Sequence, residues 1–570
     1  MSVSYGWQAK RRLSTVAAPI VSSSREGGEG DILHAVPGTG RVGDFAVVLG
    51  LLILSAFVVF PLVGGPPVVR PAPILLFALV VIAAVSRPWR WPEEVWSAVA
   101  DWNPSRRVIH VGALVAGFIL FWFVLTRFQS GEINAVDFTV YYDRPTFQTL
   151  QGNPAFVESA DDPIRAYRSY FAVHAHWVML PLAALYLVWA TPLWLLALSV
   201  AAVVAGAIYT LRIVQHIGGG GLLGSASALA FVLNDNTART LNYGFHTEVL
   251  YAWFVPWMIH AGLERRWTAF AIAALGCVLV KEDAFLPLFA VAVTLALTTR
   301  GWSRTQRLLV FGAPLLVATL NLVVYYRYLV PRLSATGTPF YANYWDNYGP
   351  TAMTAVIGML SRPHDVVVRA LTSSFFTTVI VPHLYLPLIG WRWMIGVVPM
   401  VILYGSSSNE QLRSFGIYYA IVLVPFLVLG ASAGAQRLTG WLWAGRNRAR
   451  VAASFAVVCG ALLAGITNAG YSLRPWKPEV AAVPRIVASL TEERAVLVQS
   501  GLYPHAGYES RVQLLTKDTL RDPRYAGAAI LLAPRVSGYP LTPDELAALS
   551  RLPVVTSTPD GVLIVRSAPR

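Results

Sequence analysis

The fold class this sequence predicts is an all-α polytopic membrane bundle followed by a small C-terminal α/β domain. Three observations point to it. The chain of 570 residues is 55% hydrophobic and 13% charged, against about 25% charged in soluble domains. Its mean hydropathy is +0.54. Its basic residues recur in short connections between apolar runs, as in cytoplasmic loops. That distribution accounts for the net charge of +14 and argues against nucleic acid as a partner. Cys277 and Cys459 both sit in apolar runs, which argues against a disulfide framework or a cysteine metal site.

Residues 1–43 hold no apolar run and read as a disordered tail, placed in the cytoplasm by Lys10, Arg11, Arg12, Arg25 and Arg41. The transmembrane region is expected over 44–470. Phe45–Val63 lacks a small-residue cleavage site and serves as an anchor; Ala72–Val85 returns the chain to a basic loop holding Arg87, Arg90, Arg106 and Arg107. Val108–Leu125 crosses outward. The segment 127–172 is too rich in carboxylates to span (Glu132, Asp137, Asp143, Glu158, Asp161 and Asp162) and is expected as the first large external loop. Spans follow at Val173–Trp189 and Pro192–Val214, then a short run, Leu222–Leu233, read as re-entrant or interfacial because roughly 17–25 residues are needed to cross.

Val249–Leu263 ends at Arg265-Arg266, which puts Phe245-His246-Thr247-Glu248 on the external side. Trp267–Val280 then runs outward to Lys281-Glu282-Asp283, and the return helix ends at Arg300, Arg304 and Arg307. One straight span through the triplet is disfavoured, since each charge in a bilayer core costs roughly 2.5–3.5 kcal/mol. Leu308–Val324, Leu371–Ile389, Met394–Tyr404, Phe415–Leu429 and Val451–Ile466 complete about thirteen spans, with an aromatic external segment from Phe340 to Tyr348. The N-terminus is expected in the cytoplasm and the C-terminus outside the plasma (inner) membrane. From 475 to 570 the chain reads as soluble, with buried strands at Ala495–Gln499, Ala528–Leu532 and Val562–Val565 and helices at Val483–Leu490 and Thr542–Leu549. It carries no Gly-rich phosphate fingerprint.

The strong polar interruptions all fall on the external side. That suits a reaction between a lipid-borne headgroup and a water-side acceptor better than a transport path, which places polar groups near the midplane. Phe245-His246-Thr247-Glu248 and Lys281-Glu282-Asp283, with Asp137, His174-Ala175-His176 and Tyr418-Tyr419, resemble a bacterial family of multispanning proteins of unknown function. Its usual signatures are Phe-His-Pro-Glu and Lys-Glu-Asp, and the resemblance covers roughly 130–570. That family is similar to the GT-C superfamily of polyprenyl-phosphate-sugar glycosyltransferases. The chain departs from the pattern at Thr247, where the family has Pro, and in the spacing of Asp137 and Asp143. The adjacent acidic pair of many GT-C enzymes occurs only as Asp161-Asp162.

The resemblance implies a polyprenyl-phosphate-linked sugar as donor and an envelope glycan, lipid or protein as acceptor, in contact with membrane lipids. Such chemistry needs a carboxylate base and a cation for the departing phosphate. Asp137 and Asp143 are the candidate catalytic carboxylates, with Asp137 the base; Lys281, then Arg144, are the candidate cations. His246, Glu248 and His176 are candidate substrate-binding residues. Glu282 and Asp283 would position Lys281 or bind a divalent cation; no other cofactor is implied.

Plainer readings fit the same residues. Lys281–Asp283 fits a solvated turn between spans, and His246 with Glu248 a water-facing helix start. Asp137 fits a loop residue bonding backbone. His174 and His176, two apart, would not share a helix face and fit core packing rather than a metal pair. The aromatic segment fits an interfacial belt or a sugar-stacking surface. A lipid or lipid-linked-glycan translocator would need polar groups through the membrane depth, for which Gln215, His216, Asn234 and Asp235 are the candidates. A non-catalytic assembly protein would work through the C-terminal domain.

Overall fold

The computed structural model describes residues 93–566, apart from 159, 163–166, 335–336, 340, 443–444, 469–470 and 472. The expected N-terminal tail, the runs Phe45–Val63 and Ala72–Val85, and Phe340 lie outside the described residues.

Apolar runs fold as helices because lipid offers no partner for free backbone groups. Among the described residues, four helices are long and apolar enough to cross a membrane: Arg106–Gln129, Leu193–His216, Arg304–Leu333 and Ile421–Trp441. The bent pair Pro363–Leu371 and Phe375–His383 makes a fifth if taken as one span. The larger expected number also counted shorter runs. Trp267–Val280, for example, is a 14-residue helix, about 21 Å long against a hydrocarbon core of about 30 Å.

Several runs expected as continuous spans are broken, each for a local reason. Residues 173–178 form a non-helical turn, so the helix of the Val173–Trp189 run is only Met179–Val188. Leu384 and Tyr385 adopt positive φ (54° and 57°), dividing Leu371–Ile389 into short pieces. Phe415 and Ile417 do the same (52° and 48°), and the helix there starts only at Ile421. The short run after Gly219 is a 14-residue helix, Gly220–Leu233. It packs against the Leu193–His216 and Arg446–Asn468 helices.

The C-terminal part contains a five-stranded sheet: β1 (Val496–Val498), β2 (Val512–Leu514), β3 (Ala529–Leu532), β4 (Val554–Ser557) and β5 (Leu563–Arg566), in the order β2-β1-β3-β5-β4. β1 runs parallel to β2 and β3; β5 is antiparallel to β3 and β4. Of the expected strands, three match β1, β3 and β5. β2 and β4 are additional. β4 is exposed along its whole length, so it lacks the apolar run by which a buried strand is read.

Alternation along the strands sorts the sheet into two faces. Val496, Val498, Val512, Leu514, Ala529 and Leu531 join the core continuous with the helical bundle. Leu497, Ile530, Leu532 and Val565 form a second small core with Leu546 and Leu549. The latter belong to the helix Pro543–Leu549, opened by a reciprocal cap in which Thr542 accepts from the Glu545 amide and Glu545 accepts from the Thr542 amide.

The sheet's end meets the bundle at the turn after the Arg106–Gln129 helix. The Lys477 amide donates to the Gln129 carbonyl (3.1 Å), and the Ser537 amide to the Gly131 carbonyl (3.2 Å). Gly131 has φ +65°, and a Cβ there would stand 2.8 Å from the Gly501 carbonyl. Both the conformation and the space require glycine. Gly131→Ala is expected to destabilise the protein by roughly 1–3 kcal/mol. In thermal unfolding and limited proteolysis, the C-terminal part should become cleavable first.

Candidate functional site

Two helix ends build the site. The Asp235–Asn242 helix is closed by Tyr243 and by Gly244 at φ +96°, where a Cβ would stand 3.1 Å from Ile133 and 3.2 Å from Phe138. His246 is then extended (φ −134°, ψ 141°), and Thr247 opens the short 3-10 helix Thr247–Leu250. The second end is that of Trp267–Val280. Lys281 is fully extended (φ −164°, ψ 159°) before the 3-10 turn Glu282–Ala284 and the helix Phe285–Thr298. Carbonyls freed by this break are taken up by neighbours. Leu279 accepts from the Val178 amide (2.9 Å), and Val278 and Lys281 accept from the Asn321 side chain (3.2 and 3.4 Å).

The two ends meet in an ion pair. Lys281 Nζ lies 2.9 Å from Glu248 Oε1 and 3.8 Å from Asp283 Oδ2. Lys281, Glu248 and Glu282 are buried, so the triplet is not a solvated turn. Burial opposes charging of both partners, but their mutual attraction prevails. Glu248 is held well below the usual carboxylate range, helped by His246 and His176, and Lys281 well above the usual lysine range. His246 Nδ1 stands 3.3 Å from Glu248 Oε2 and 2.9 Å from the Tyr142 hydroxyl. Its ring stacks on Tyr418 with centroids 3.5 Å apart, and its Nε2 is buried without a partner among the described residues.

Glu282 is fully engaged: Oε1 lies 2.8 Å from His174 Nδ1 and Oε2 accepts from the Ala175 amide (2.9 Å). That leaves it committed to protein groups rather than to a cation. Among the described residues, no group of three His, Cys, Asp or Glu side chains is arranged to hold a metal ion. Asp283 accepts from the Tyr251 hydroxyl (3.4 Å) and is only partly buried. His174 and His176 stack on one another (5.0 Å, 15°), because their segment is a turn and not a helix. The Thr247 hydroxyl lies 3.2 and 3.1 Å from the two ring nitrogens of His176. Tyr341, from the aromatic segment, stacks on His174 (5.5 Å, 13°), so this ring packs against protein rather than standing free.

Residues 136–143 form a π-helix that carries both candidate carboxylates but delivers them to different neighbours. Asp137 Oδ2 accepts from the Tyr243 hydroxyl (2.5 Å) and from Asn134 Nδ2 (2.8 Å), and is half-buried. Tyr243 packs against His246 and Tyr418 (5.4 and 5.3 Å), which ties Asp137 to the Glu248–Lys281 cluster through shared rings. Burial, then the Asp137 charge, push the Tyr243 phenol up, so it remains a donor. Asn134, Tyr142 and Tyr243 carry no sequence signature, whereas the Tyr418-Tyr419 pair belongs to the family pattern.

Asp143 and Arg144 face the C-terminal part instead. Asp143 Oδ1 accepts from Tyr186 (2.7 Å) and Tyr508 (2.8 Å), joining the Met179–Val188 helix to the residues before β2. Arg144 lies 3.3 Å from Asp161, donates to the Gly507 and Glu509 carbonyls (3.3 and 3.4 Å) and lies over the Tyr503 ring (5.2 Å). The guanidinium is thus engaged with the C-terminal part rather than with the Glu248–Lys281 cluster. Asp161 and Asp162 accept backbone amides from Leu514 (3.0 Å) and Tyr167 (2.9 Å) respectively, which is clamp work, not an open acidic pair. Of the translocator candidates, Asn234 and Asp235 are buried; Asn234 lies 3.0 Å from His383 Nε2, Asp235 is paired with Arg239, and Gln215 donates to Asn103.

Burial raises the Asp143 carboxyl from 3.8 to about 6, against the opposing pull of Tyr186, Tyr508 and Arg144. A raised folded-state value means that its contribution to stability is fully present below the unfolded 3.8 and is lost as pH rises through about 6. Thermal midpoints of the protein should therefore fall from pH 4 to 6 relative to Asp143→Asn, by the equivalent of about 3 kcal/mol at most. For the ion pair, Lys281→Met is expected to cost roughly 3–5 kcal/mol, and Lys281→Met/Glu248→Gln markedly less. A double-mutant cycle in chemical unfolding reads the difference.

No curated protein matches the chain. Among solved structures, it is similar to ArnT from Cupriavidus metallidurans in the apo state, at 12% identity and TM-score 0.45, covering 81% of this chain and 99% of that one. It is also similar to the arabinofuranosyltransferase AftD from mycobacteria, at 13% identity and TM-score 0.42, covering 83% of this chain and 40% of that one. At these values the likeness carries no function across. The family model described as "Predicted membrane protein (DUF2079)" matches residues 130–500, which contain Asp137, Phe245–Glu248 and Lys281–Asp283. This chain belongs to that family of membrane proteins.

Proposed function

We propose that this protein is a GT-C-type glycosyltransferase that moves a sugar from a polyprenyl-phosphate donor to an acceptor outside the plasma membrane. The observation that carries the reading is the convergence of a half-buried carboxylate, Asp137, with the buried Glu248–Lys281 pair through Tyr243, His246 and Tyr418. Asp137 takes the proton of the acceptor hydroxyl as that oxygen attacks the anomeric carbon and the lipid phosphate departs. Tyr243 and Asn134 hold the carboxylate in one orientation and leave its other oxygen for substrate. Lys281 supplies positive charge for the departing phosphate, and Glu248 and His246 fix its position. Arg144 drops out of this role and acts with Asp143 to seat the C-terminal part beside the site.

The alternative, translocation of a lipid or lipid-linked glycan, rests on Asn234 and Asp235 buried in the bundle. Lipid flipping without donor consumption in reconstituted vesicles would favour it. The transferase reading is tested by incubating the protein in nanodiscs with a panel of polyprenyl-phosphate sugars and following donor loss. Asp137→Asn is expected to reduce turnover by about 10²–10⁴-fold while folding and inserting normally; full turnover by this variant removes Asp137 from the mechanism. Tyr243→Phe should lower turnover less, since the carboxylate survives.

A further inference from the structure

The arginines around the start of the Arg304–Leu333 helix differ in what they touch. Arg266 is paired with Glu264 (2.8 Å), whose other oxygen lies 3.3 Å from His260. Arg265 donates to the carbonyls of Arg300 and Gly301 (both 3.4 Å). Arg304 and Arg307 are exposed, and among the described residues neither side chain has a carboxylate within ion-pair distance. Their backbone is nonetheless fixed by a reciprocal cap. Ser303 Oγ accepts from the Gln306 amide (3.2 Å), and Gln306 Oε1 accepts from the Ser303 amide (2.9 Å). The cap uses the side chains at 303 and 306 and leaves those at 304 and 307 free.

Both arginines line one open groove of about 570 Å³, together with Thr305, Leu308, Phe311 and Gly312. That volume lies within the range of about 300–1,000 Å³ usual for small-molecule sites. Its floor is the π-helix Leu308–Gly312, in which Val310 turns into the bundle core while Leu308 is 66% exposed. The groove therefore has a cationic head and an apolar floor. The helix that carries it is 30 residues long, about 45 Å against about 30 Å of hydrocarbon. Its first turn then stands among the lipid headgroups, with Leu308 and Phe311 where the acyl chains begin. An inorganic anion would leave the apolar floor uncovered, and a zwitterionic lipid would leave the two positive charges uncompensated.

We propose that this groove is a binding site for an anionic glycerophospholipid. Arg304 and Arg307 hold its phosphate by charge-assisted hydrogen bonds, Thr305 adds a hydroxyl, and the near acyl chain runs along Leu308 and Phe311. The same helix steadies the Lys281 turn, because Asn321 donates to the carbonyls of Val278 and Lys281. A lipid held at the start of the helix thus sets the depth of the element on which that turn leans. The inference does not depend on the transferase reading.

The test places the full chain in nanodiscs of equal phosphatidylglycerol and phosphatidylcholine with a trace of polyprenyl phosphate, and counts the lipids retained in native mass spectrometry. The parent is expected to retain phosphatidylglycerol in preference to phosphatidylcholine. That preference should fall about fivefold for Arg304→Gln or Arg307→Gln and further for the double variant. For Arg300→Gln, outside the groove, it should stay within about twofold of the parent. Because both arginines are exposed and unpaired, circular dichroism and thermal midpoints in pure phosphatidylcholine should match the parent. Equal retention of the two lipids by the parent overturns the site. So does a preference untouched in the double variant, or an equal loss in Arg300→Gln. Preferential retention of polyprenyl phosphate that depends on Arg304 and Arg307 overturns the assignment to a glycerophospholipid.

Discussion

The bond between Lys281 and Glu248 is the constraint around which the structure is arranged. Burying two opposite charges costs several kcal/mol for each ion, and only close geometry with further polar contacts offsets it. Here those contacts come from three separate stretches of chain. Asp283 lies beside Lys281, His246 and Thr247 reach the second oxygen of Glu248, and Tyr418 covers the His246 ring. The pair forms only if the helix Trp267–Val280 stops where it does and the chain after Gly244 turns where it does. Two interruptions some 33 residues apart in sequence therefore fix one another in space.

Around that bond the segment 127–172 divides its acidic residues by environment rather than by type. Asp137, near the start of the π-helix, faces the cluster and keeps part of its surface accessible. Asp143, at the other end, is closed off between two tyrosines from distant elements, while Arg144 and Asp161 continue the seam. One short helix thus separates a carboxylate available to a ligand from one that joins the bundle to the sheet.

Much of this was legible in the sequence, and what was not has physical reasons. Charge at Lys281–Asp283 is too expensive for a continuous span, so the break and its position could be read directly, and Trp267–Val280 ends at the expected residue. The short strands β1 and β3 announced themselves as apolar runs, whereas the exposed β4 had no such pattern. Two-residue spacing separates His174 and His176 on a helix, but their segment is a turn, which sets the two rings side by side. Asp143 and Arg144 stand in the sequence as second candidates behind Asp137 and Lys281, because pattern alone does not reveal which side of a π-helix meets a distant element. Tyr186 and Tyr508, some 322 residues apart, are brought together only by tertiary packing (Asp143 accepts from both).

Thr247 stands where the family pattern has proline, and the backbone explains why both fit. His246 is extended, as a residue before proline must be, and position 247 opens a 3-10 turn where no amide bond is required. Threonine keeps that path and adds a hydroxyl within reach of the His176 imidazole. Proline at this position would keep the same main-chain trace with one tether fewer, leaving the His176 ring held by its packing against Tyr142, Tyr170 and His174.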